Sequence, residues 1–141
     1  MAVNFQFSIA VHVMAALTSR SGERVPSREL AISVNTSPSF VRRVLAKVSK
    51  AGLVRTATGK SGSCSLARAA RSITLLEIYR AVDQPKAFAI HDYPVQRACT
   101  ISCGIKSSMR KVQDQAQRAL EDSLRKTTLA QVVGEIVETP G

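Results

Sequence analysis

The 141-residue chain carries 20 Lys and Arg against 10 Asp and Glu, so its formal net charge is +10 at pH 7. Its length and its hydrophobic content of 45% suit one compact domain with an extension. The sequence has no charged leader followed by an apolar signal core, and no apolar run reaches the roughly 18 residues that a membrane span needs. We therefore expect a cytoplasmic protein without a membrane partner.

The positive charge is concentrated in the first half of the chain. Residues 1–71 contain eleven Lys and Arg against Glu23 and Glu29, a net charge of +9, whereas residues 72–141 contain nine against eight, a net charge of +1. No Asp or Glu occurs between Glu29 and Glu77. A localised cationic surface of this kind favours a polyanion, above all double-stranded DNA, as the partner.

In chain order, the first periodic stretch covers residues 4–19. Its apolar side chains recur at intervals of three and four, which predicts an amphipathic helix; they are Phe7, Ala10, Val11, Met14 and Leu17. His12 on this helix is interpreted as a surface or core histidine and not as a ligand. Ser21-Gly22 ends the pattern, and Pro26-Ser27 is expected to begin a short second helix.

A third helix is predicted between a capping serine and a terminating glycine. Ser37 suits the N-cap, Pro38 the first helical position and Gly52 the left-handed residue after the end. The expected core face consists of Phe40 or Val41, Val44, Leu45 and Val48, and the other faces carry Ser39, Arg42, Arg43, Ser49 and Lys50. Two short helices with a polar, basic second member are typical of the helix-turn-helix, whose second helix enters the DNA major groove.

A β-hairpin is predicted immediately after this pair of helices. Residues 53–56 and 63–66 form two short β-like runs around a Gly/Ser turn that carries Lys60. An ordinary surface hairpin is the alternative, but the position after the helix-turn-helix favours a wing that lies on a phosphate backbone or in the minor groove. The expected fold is therefore mainly α with a small β-hairpin wing, a winged helix-turn-helix domain over residues 1–83.

The second half of the chain predicts an elongated helix after a connector. Thr74 and Glu77 form a capping box for a helix that ends before Pro85, and residues 84–101 show little periodicity. Residues 102–126 then predict a helix of about 37 Å, with a narrow stripe of Ile105, Met109, Val112, Ala116, Leu120 and Leu124. So small a domain cannot cover such a helix, so we expect it to join two subunits of a homodimer.

The last segment, residues 127–141, opens on a second capping box formed by Thr128 and Gln131. A short final helix is expected to follow it and to pack back on the first domain or on the partner subunit.

The order and spacing of these segments resemble the bacterial Rrf-two family of winged-helix transcriptional regulators, which includes the cluster-sensing IscR, the nitric-oxide sensor NsrR and the cysteine-metabolism regulator CymR. The resemblance is carried by the first helix, Ser37–Arg43 with Lys50–Val54, the Gly59–Gly62 turn, Ile73–Val82 and Thr128–Val133. The branch typified by YwnA is most similar in Val34–Pro38, Val41–Arg43 and Phe88–His91.

The resemblance implies base and phosphate contacts at ten positions. They are Ser37, Ser39, Phe40, Arg42 and Arg43 in the recognition helix, and Thr58, Gly59, Lys60, Ser61 and Gly62 in the wing. Arg42 and Arg43 each suit a bidentate contact with guanine or a clamp on a phosphate, and the sequence leaves both open.

The three cysteines Cys64, Cys99 and Cys103 are an odd number in a chain without an export signal, which argues against a disulfide framework. Cluster-binding members of the family group three cysteines before and along the dimer helix, whereas this chain has only Cys99 and Cys103 there. An iron–sulfur cluster would need further ligands from His12, His91, an acid or the partner subunit, and so would a zinc site. We expect no resident cofactor or metal, and an iron–sulfur cluster is the alternative.

A thiol switch at Cys99 and Cys103 is the sharper hypothesis. Arg97 precedes Cys99, and Cys103 lies near the expected start of the long helix, so that positive charge and helix-end N–H groups favour the reactive thiolate. Oxidation there would change the angle between two DNA-binding domains. The plain alternative is that both are small apolar fillers, and Cys64 is expected to pack inward from the wing strand.

The leading prediction is a dimeric, sequence-specific transcriptional regulator that represses genes and responds to thiol oxidation or an unidentified ligand. The alternatives are an iron–sulfur-dependent regulator and a winged-helix protein that binds protein or DNA without sequence preference. An enzyme such as a thiol peroxidase is disfavoured, because the chain lacks a Cys-x-x-Cys motif on a βαβ pattern, a glycine-rich phosphate loop and paired carboxylates. No catalytic residue is predicted.

Overall fold

A computed structural model describes residues 4–57 and 62–138 of the chain. It is mostly helical, with a small three-stranded antiparallel sheet, which confirms the predicted fold class. The helices are α1 (Gln6–Ser19), α2 (Ser27–Val34), α3 (Pro38–Lys50), α4 (Leu75–Ala81), α5 (Thr100–Arg125) and α6 (Leu129–Glu138). The strands are β1 (Val25–Pro26), β2 (Val54–Thr56) and β3 (Ser63–Leu66), and a 3-10 turn covers Ala70–Ser72.

The chain divides into two compact units. The first unit combines Met1–Gln84 with Leu124–Gly141, and the second unit is Pro85–Ser123. Within the described residues, the helices lack the combination of length and apolar character that crossing a bilayer requires.

The turn between α2 and α3 is made by local hydrogen bonds. Asn35 takes a left-handed conformation with φ of 65°, and the N–H groups of Asn35 and Thr36 both donate to the carbonyl of Ala31, at 2.8 and 3.0 Å. This closes α2 as a Schellman-type cap. Ser37 then caps α3, since its Oγ accepts the N–H of Phe40 at 3.3 Å. The predicted start of the third helix is therefore confirmed.

The wing sheet contains one more strand than the sequence pattern indicated. Its strand order is β1-β3-β2, and both pairs are antiparallel. Val25 pairs with Cys64, and Pro26 with Ser63, so the segment just before α2 forms the edge strand. Pro26 has no backbone N–H to donate to a neighbouring strand, and an edge strand tolerates the absence of that hydrogen bond.

The hydrophobic core of the first unit joins α1, α3, α4 and the sheet. The core face of α3 is fully buried through Val41, Val44, Leu45 and Val48, while Phe40 is only half-buried at its edge. Burying each of these aliphatic side chains contributes about 1.5–3 kcal/mol, which fixes the opposite face of α3 towards solvent.

The end of the chain completes the same core. Leu129, the first residue of α6, is 0% exposed among the core side chains. Its N–H donates to the carbonyl of Ile73 at 2.9 Å, and the N–H of Leu75 donates to the carbonyl of Thr127 at 2.9 Å. These two bonds fasten the start of α6 beside the start of α4.

The second unit consists of the connector and most of α5, and the connector runs along the helix. Gln113 and Gln117 of α5 hold the connector, because Gln113 Nε2 donates to the carbonyl of Phe88 at 2.7 Å and Gln117 Oε1 accepts the N–H of Ala87 at 2.9 Å. The helix begins at Thr100, two residues earlier than the sequence indicated.

Candidate nucleic-acid interface

The exposed face of α3 carries the side chains expected to contact DNA. Ser37, Ser39, Arg42 and Arg43 are exposed, and Phe40 lies at the boundary between this face and the core. The hydroxyl groups of Ser37 and Ser39 lie 3.4 Å apart at the start of the helix. Hydroxyls at the first turn and guanidinium groups one turn later suit base edges and phosphates.

Arg43 is oriented by an aromatic side chain on its own helix. Its Cζ lies 5.2 Å from the centroid of the Phe40 ring, which is a cation–π distance. This contact limits the directions in which the guanidinium points, so part of the ordering that a bidentate contact requires is present before DNA binds.

The two acidic side chains of the first half, Glu23 and Glu29, are both engaged by Arg20. Arg20 Nε donates to Glu23 Oε2 at 2.8 Å, and Arg20 also contacts Glu29. Hydrogen bonds to Glu29 and Glu23 raise the pKa of Arg20. One arginine engages both acids, so these three side chains together carry a net charge of −1. The ten other Lys and Arg of residues 1–71 leave this half with its net charge of +9.

The wing is described only at its two strands and at Gly62. Of the predicted wing contacts, Thr58, Gly59, Lys60 and Ser61 lie outside the described residues. Gly62 has a φ of +54°, a left-handed conformation that favours glycine, and a Cβ placed there would lie 3.5 Å from Ser27 Oγ. The root of the wing therefore adjoins the start of α2.

Cys64 is a structural thiol of the sheet. It is 1% exposed, and its Sγ donates to the carbonyl of Val25 at 3.3 Å, on the neighbouring strand. Burial raises the pKa of Cys64 to about 11, so the thiol stays protonated and unreactive at neutral pH. The expectation that it packs inward is confirmed.

Cys99 and Cys103 lie together at the start of α5, and both are exposed. Cys99 precedes the helix as its capping residue, because its Sγ accepts the N–H of Ser102 at 3.4 Å. Cys103 lies one turn later, its N–H donating to the carbonyl of Cys99 at 3.1 Å and its Sγ lying 3.6 Å from the carbonyl of Arg97. The pair is accessible to solutes.

The donor set of one chain does not fit a metal cluster. Iron–sulfur clusters and structural zinc take three or four thiolate or imidazole ligands from the protein. Within residues 4–57 and 62–138, His, Cys, Asp and Glu side chains nowhere gather in a group of three that could hold a metal ion.

The α5 stripe expected to join subunits is only partly covered within the chain. None of the residues of α5 is buried, although the helix is 26 residues long. Val112 is 46% exposed, and the other five residues of the stripe are half-buried; these are Ile105, Met109, Ala116, Leu120 and Leu124.

Known proteins resemble this chain over almost its whole length. The model of the Rrf2 family, described as an iron-dependent transcriptional regulator, matches residues 3–135. The HTH-type transcriptional regulator YwnA of Bacillus subtilis is 31% identical over 135 residues, which cover 95% of this chain and 98% of YwnA.

Solved structures share the fold. A transcriptional regulator from Lactobacillus plantarum is similar with a TM-score of 0.81 at 24% identity, over 97% of this chain and 92% of that one. IscR of T. potens is similar with a TM-score of 0.70 at 24% identity, over 100% of this chain and 92% of that one. The family resemblance drawn from the sequence is confirmed, and the family's members are regulators, not enzymes. With its helix-turn-helix, its wing strands and a match over nearly its whole length, this chain belongs to the Rrf2 family of DNA-binding transcriptional regulators.

Proposed function

We propose that this protein is a homodimeric, sequence-specific repressor that acts on DNA in the cytoplasm and is released from its operator by oxidation of Cys99 and Cys103. The observation that carries the proposal is the division of α3 into a buried face and an exposed face of hydroxyl and guanidinium groups.

The exposed face of α3 supports sequence-specific contact. Four buried side chains fix the rotation of α3 about its axis, so Ser39, Arg42 and Arg43 point outward together. Guanidinium groups form bidentate bonds with guanine O6 and N7, and hydroxyls bond to base edges or phosphates. Exchange of either arginine for alanine is therefore expected to weaken operator binding by about 1–3 kcal/mol. Unchanged affinity in both variants would contradict this assignment.

Dimerisation is supported by the stripe of α5, in which Val112 is 46% exposed and the other residues are only half-buried. A helix of 26 residues extends about 39 Å, and its stripe leaves apolar surface that a second copy of the same helix would cover. Two α3 helices would then face half-sites separated by about one helical turn of DNA or a multiple of it, so the operator is expected to be a palindrome.

The dimer is tested by adding a charge to the stripe. Val112→Glu is expected to convert the dimer into monomers in analytical ultracentrifugation, because a carboxylate would have to be buried at the seam. Ser107→Glu adds the same charge on the opposite, exposed side of α5 and is the matched control. A dimer that survives Val112→Glu at low micromolar concentration would refute the assignment of this stripe.

Thiol control is supported by the capping contact of Cys99. A peroxide that oxidises Cys99 and Cys103 to a disulfide removes both thiol hydrogens and is itself reduced to water. A disulfide would withdraw the Cys99 sulfur from its present contact with the Ser102 N–H, 3.4 Å away, and so disturb the first turn of α5. Since α5 is the proposed dimer helix, the change reaches the element that sets the spacing of the two α3 helices.

The proposal is tested by fluorescence anisotropy on the DNA upstream of the protein's own gene, with a scrambled duplex at the same salt concentration. We expect tight binding to the first duplex, loss of binding after diamide and recovery with a thiol reductant. The double variant Cys99→Ser/Cys103→Ser is expected to bind DNA equally well before and after diamide. The Cys64→Ala variant should still lose DNA binding after diamide. Equal binding to both duplexes would instead favour the alternative of a winged-helix protein without sequence preference.

A further inference from the structure

Two arginines that the recognition helix does not include lie side by side across the wing sheet. Arg55 of β2 pairs with Ser65 of β3. On the other side of β3, Val25 pairs with Cys64, and continuing this antiparallel register by one residue places Arg24 beside Ser65. Arg24, Ser65 and Arg55 therefore form a row, here called the sheet row, across the three strands.

The sheet row lies on the solvent side of the sheet. Arg24 directly precedes β1, and each member of the row adjoins a buried residue in the chain, since Val25, Cys64 and Val54 are all buried. Successive side chains of a strand point to opposite faces, so the neighbours of these three point outward. Adjacent antiparallel strands place paired Cα atoms about 4.5–5.5 Å apart, so the two arginine Cα atoms are separated by roughly 10 Å.

The two guanidinium groups are available to a ligand. Among the described residues, the acids nearest in sequence are already engaged, Glu23 and Glu29 with Arg20 and Glu77 with Arg68. Arg24 and Arg55 are exposed and take part in none of the ion pairs that the described residues form. Uncompensated guanidinium groups beside a hydroxyl make a donor set for phosphate oxygens.

All three members of the sheet row line one open groove of about 1290 Å³. The groove exceeds the roughly 300–1,000 Å³ of pockets that enclose small ligands. It also includes Thr56, Ala57 and Ser63, which are the residues on either side of the wing turn. The charged residues of its lining are four arginines and one acid, Glu23, so the groove is cationic on balance. Such a groove, too wide to enclose a metabolite and continuous with the wing, suits a DNA backbone that passes along it.

We infer that the sheet row is a second phosphate-binding element, with which the wing sheet holds the DNA backbone beside the segment contacted by the wing turn. This inference rests on the proposed DNA-binding function and extends its contact surface from α3 and the wing turn to the solvent face of the sheet. Arg24 and Arg55 would each neutralise one phosphate, and Ser65 would donate its hydroxyl between them. Such contacts hold the register of the protein on DNA and carry no sequence information.

The experiment measures the salt dependence of DNA binding by the full-length protein and its variants Arg24→Gln, Arg55→Gln and the double variant. Each neutralised phosphate contributes about 0.9 to the slope of log affinity against log salt concentration. We expect each single variant to lower the slope by about that amount and the double variant by about 1.8, with the preference for operator over scrambled duplex retained. Arg118→Gln, which removes the same charge from an exposed position of α5, should leave the slope unchanged.

Three results would decide against the inference or separate it from the proposed function. A double variant with the wild-type slope overturns it. Inorganic phosphate could instead stabilise the wild type but not the double variant, while the two proteins show the same salt slope. That result would assign the sheet row to a free anion and would also overturn the inference. Wild-type protein that binds operator and scrambled DNA equally contradicts the proposed repressor, while the slope on either duplex still decides the role of the sheet row.

Discussion

The contact between Phe40 and Arg43 leads to a quantitative prediction about operator binding. Arg43→Ala is expected to weaken binding by about 1–3 kcal/mol, or about 5- to 150-fold, because it removes a guanidinium from the exposed face of α3. Phe40→Leu keeps an apolar side chain at the boundary of the core but removes the ring that lies 5.2 Å from Arg43 Cζ. An exposed cation–π contact contributes about 0.5–1 kcal/mol, so this variant should bind about two- to fivefold more weakly.

A double-mutant cycle isolates the part of this loss that comes from orienting Arg43. If the ring orients the guanidinium for DNA, Arg43→Ala loses less binding free energy in the Phe40→Leu background than in the wild type. The loss in the double variant is then about 0.5–1 kcal/mol smaller than the sum of the two single losses. The matched control is the cycle of Phe40→Leu with Arg42→Ala, which should be additive because the ring contact is made by Arg43. Fluorescence anisotropy with the operator duplex measures the wild type and the five variants. Additive losses in the Arg43 cycle would refute the reasoning.

Three further predictions concern stability, each measured as the free energy of unfolding in urea at one protein concentration. Thr74→Ala removes the oxygen that accepts the N–H of Glu77 at 3.2 Å and should lower this free energy by about 0.5–2 kcal/mol, whereas Thr74→Ser should retain most of it. Leu129→Ala leaves a cavity at a side chain that is 0% exposed and should lower the free energy of unfolding by about 2–5 kcal/mol. The control is Ile136→Ala, at a position 60% exposed, and an equally small change in both variants would contradict the burial of Leu129. Burial raises the pKa of Cys64 from 9.0 to about 11, so the unfolded chain loses this proton first and stability falls as the pH rises from 9 to 11. Relative to Cys64→Ala, the fall should be about 3 kcal/mol at most, at roughly 1.4 kcal/mol per pKa unit, and a constant difference between the two proteins would refute it.

Helix ends were predictable from the sequence because they depend on a few adjacent residues. Ser37 caps α3 as expected, and Gly52 has the left-handed φ of +79° that the end of the helix requires. Both capping boxes are present, at Thr74 with Glu77 and at Thr128 with Gln131. In each case the donor and the acceptor lie within three or four positions of each other, so no distant contact is needed to decide the conformation.

Features that depend on distant partners were not predictable in the same way. Strand β1 is only two residues long and includes a proline, so it has no periodicity of its own, and it exists because β3 lies beside it. The sheet row was missed for the same reason, since Arg24 and Arg55 are neighbours only through that strand order. The sequence does not predict the capping contact of the Cys99 sulfur, because thiols are not common capping groups and the pattern assigns Thr100 to the connector.

The position of Leu129 has a consequence for folding during synthesis. The core of the DNA-binding unit is assembled from two separated stretches of the chain, and its last fully buried member lies 45 positions beyond Gln84. At about 5–20 residues per second, translation takes roughly 2–9 seconds to cover that interval, during which the first stretch is complete but its core is not. The nascent protein is therefore expected to become a stable DNA-binding molecule only after Leu129 has left the ribosome.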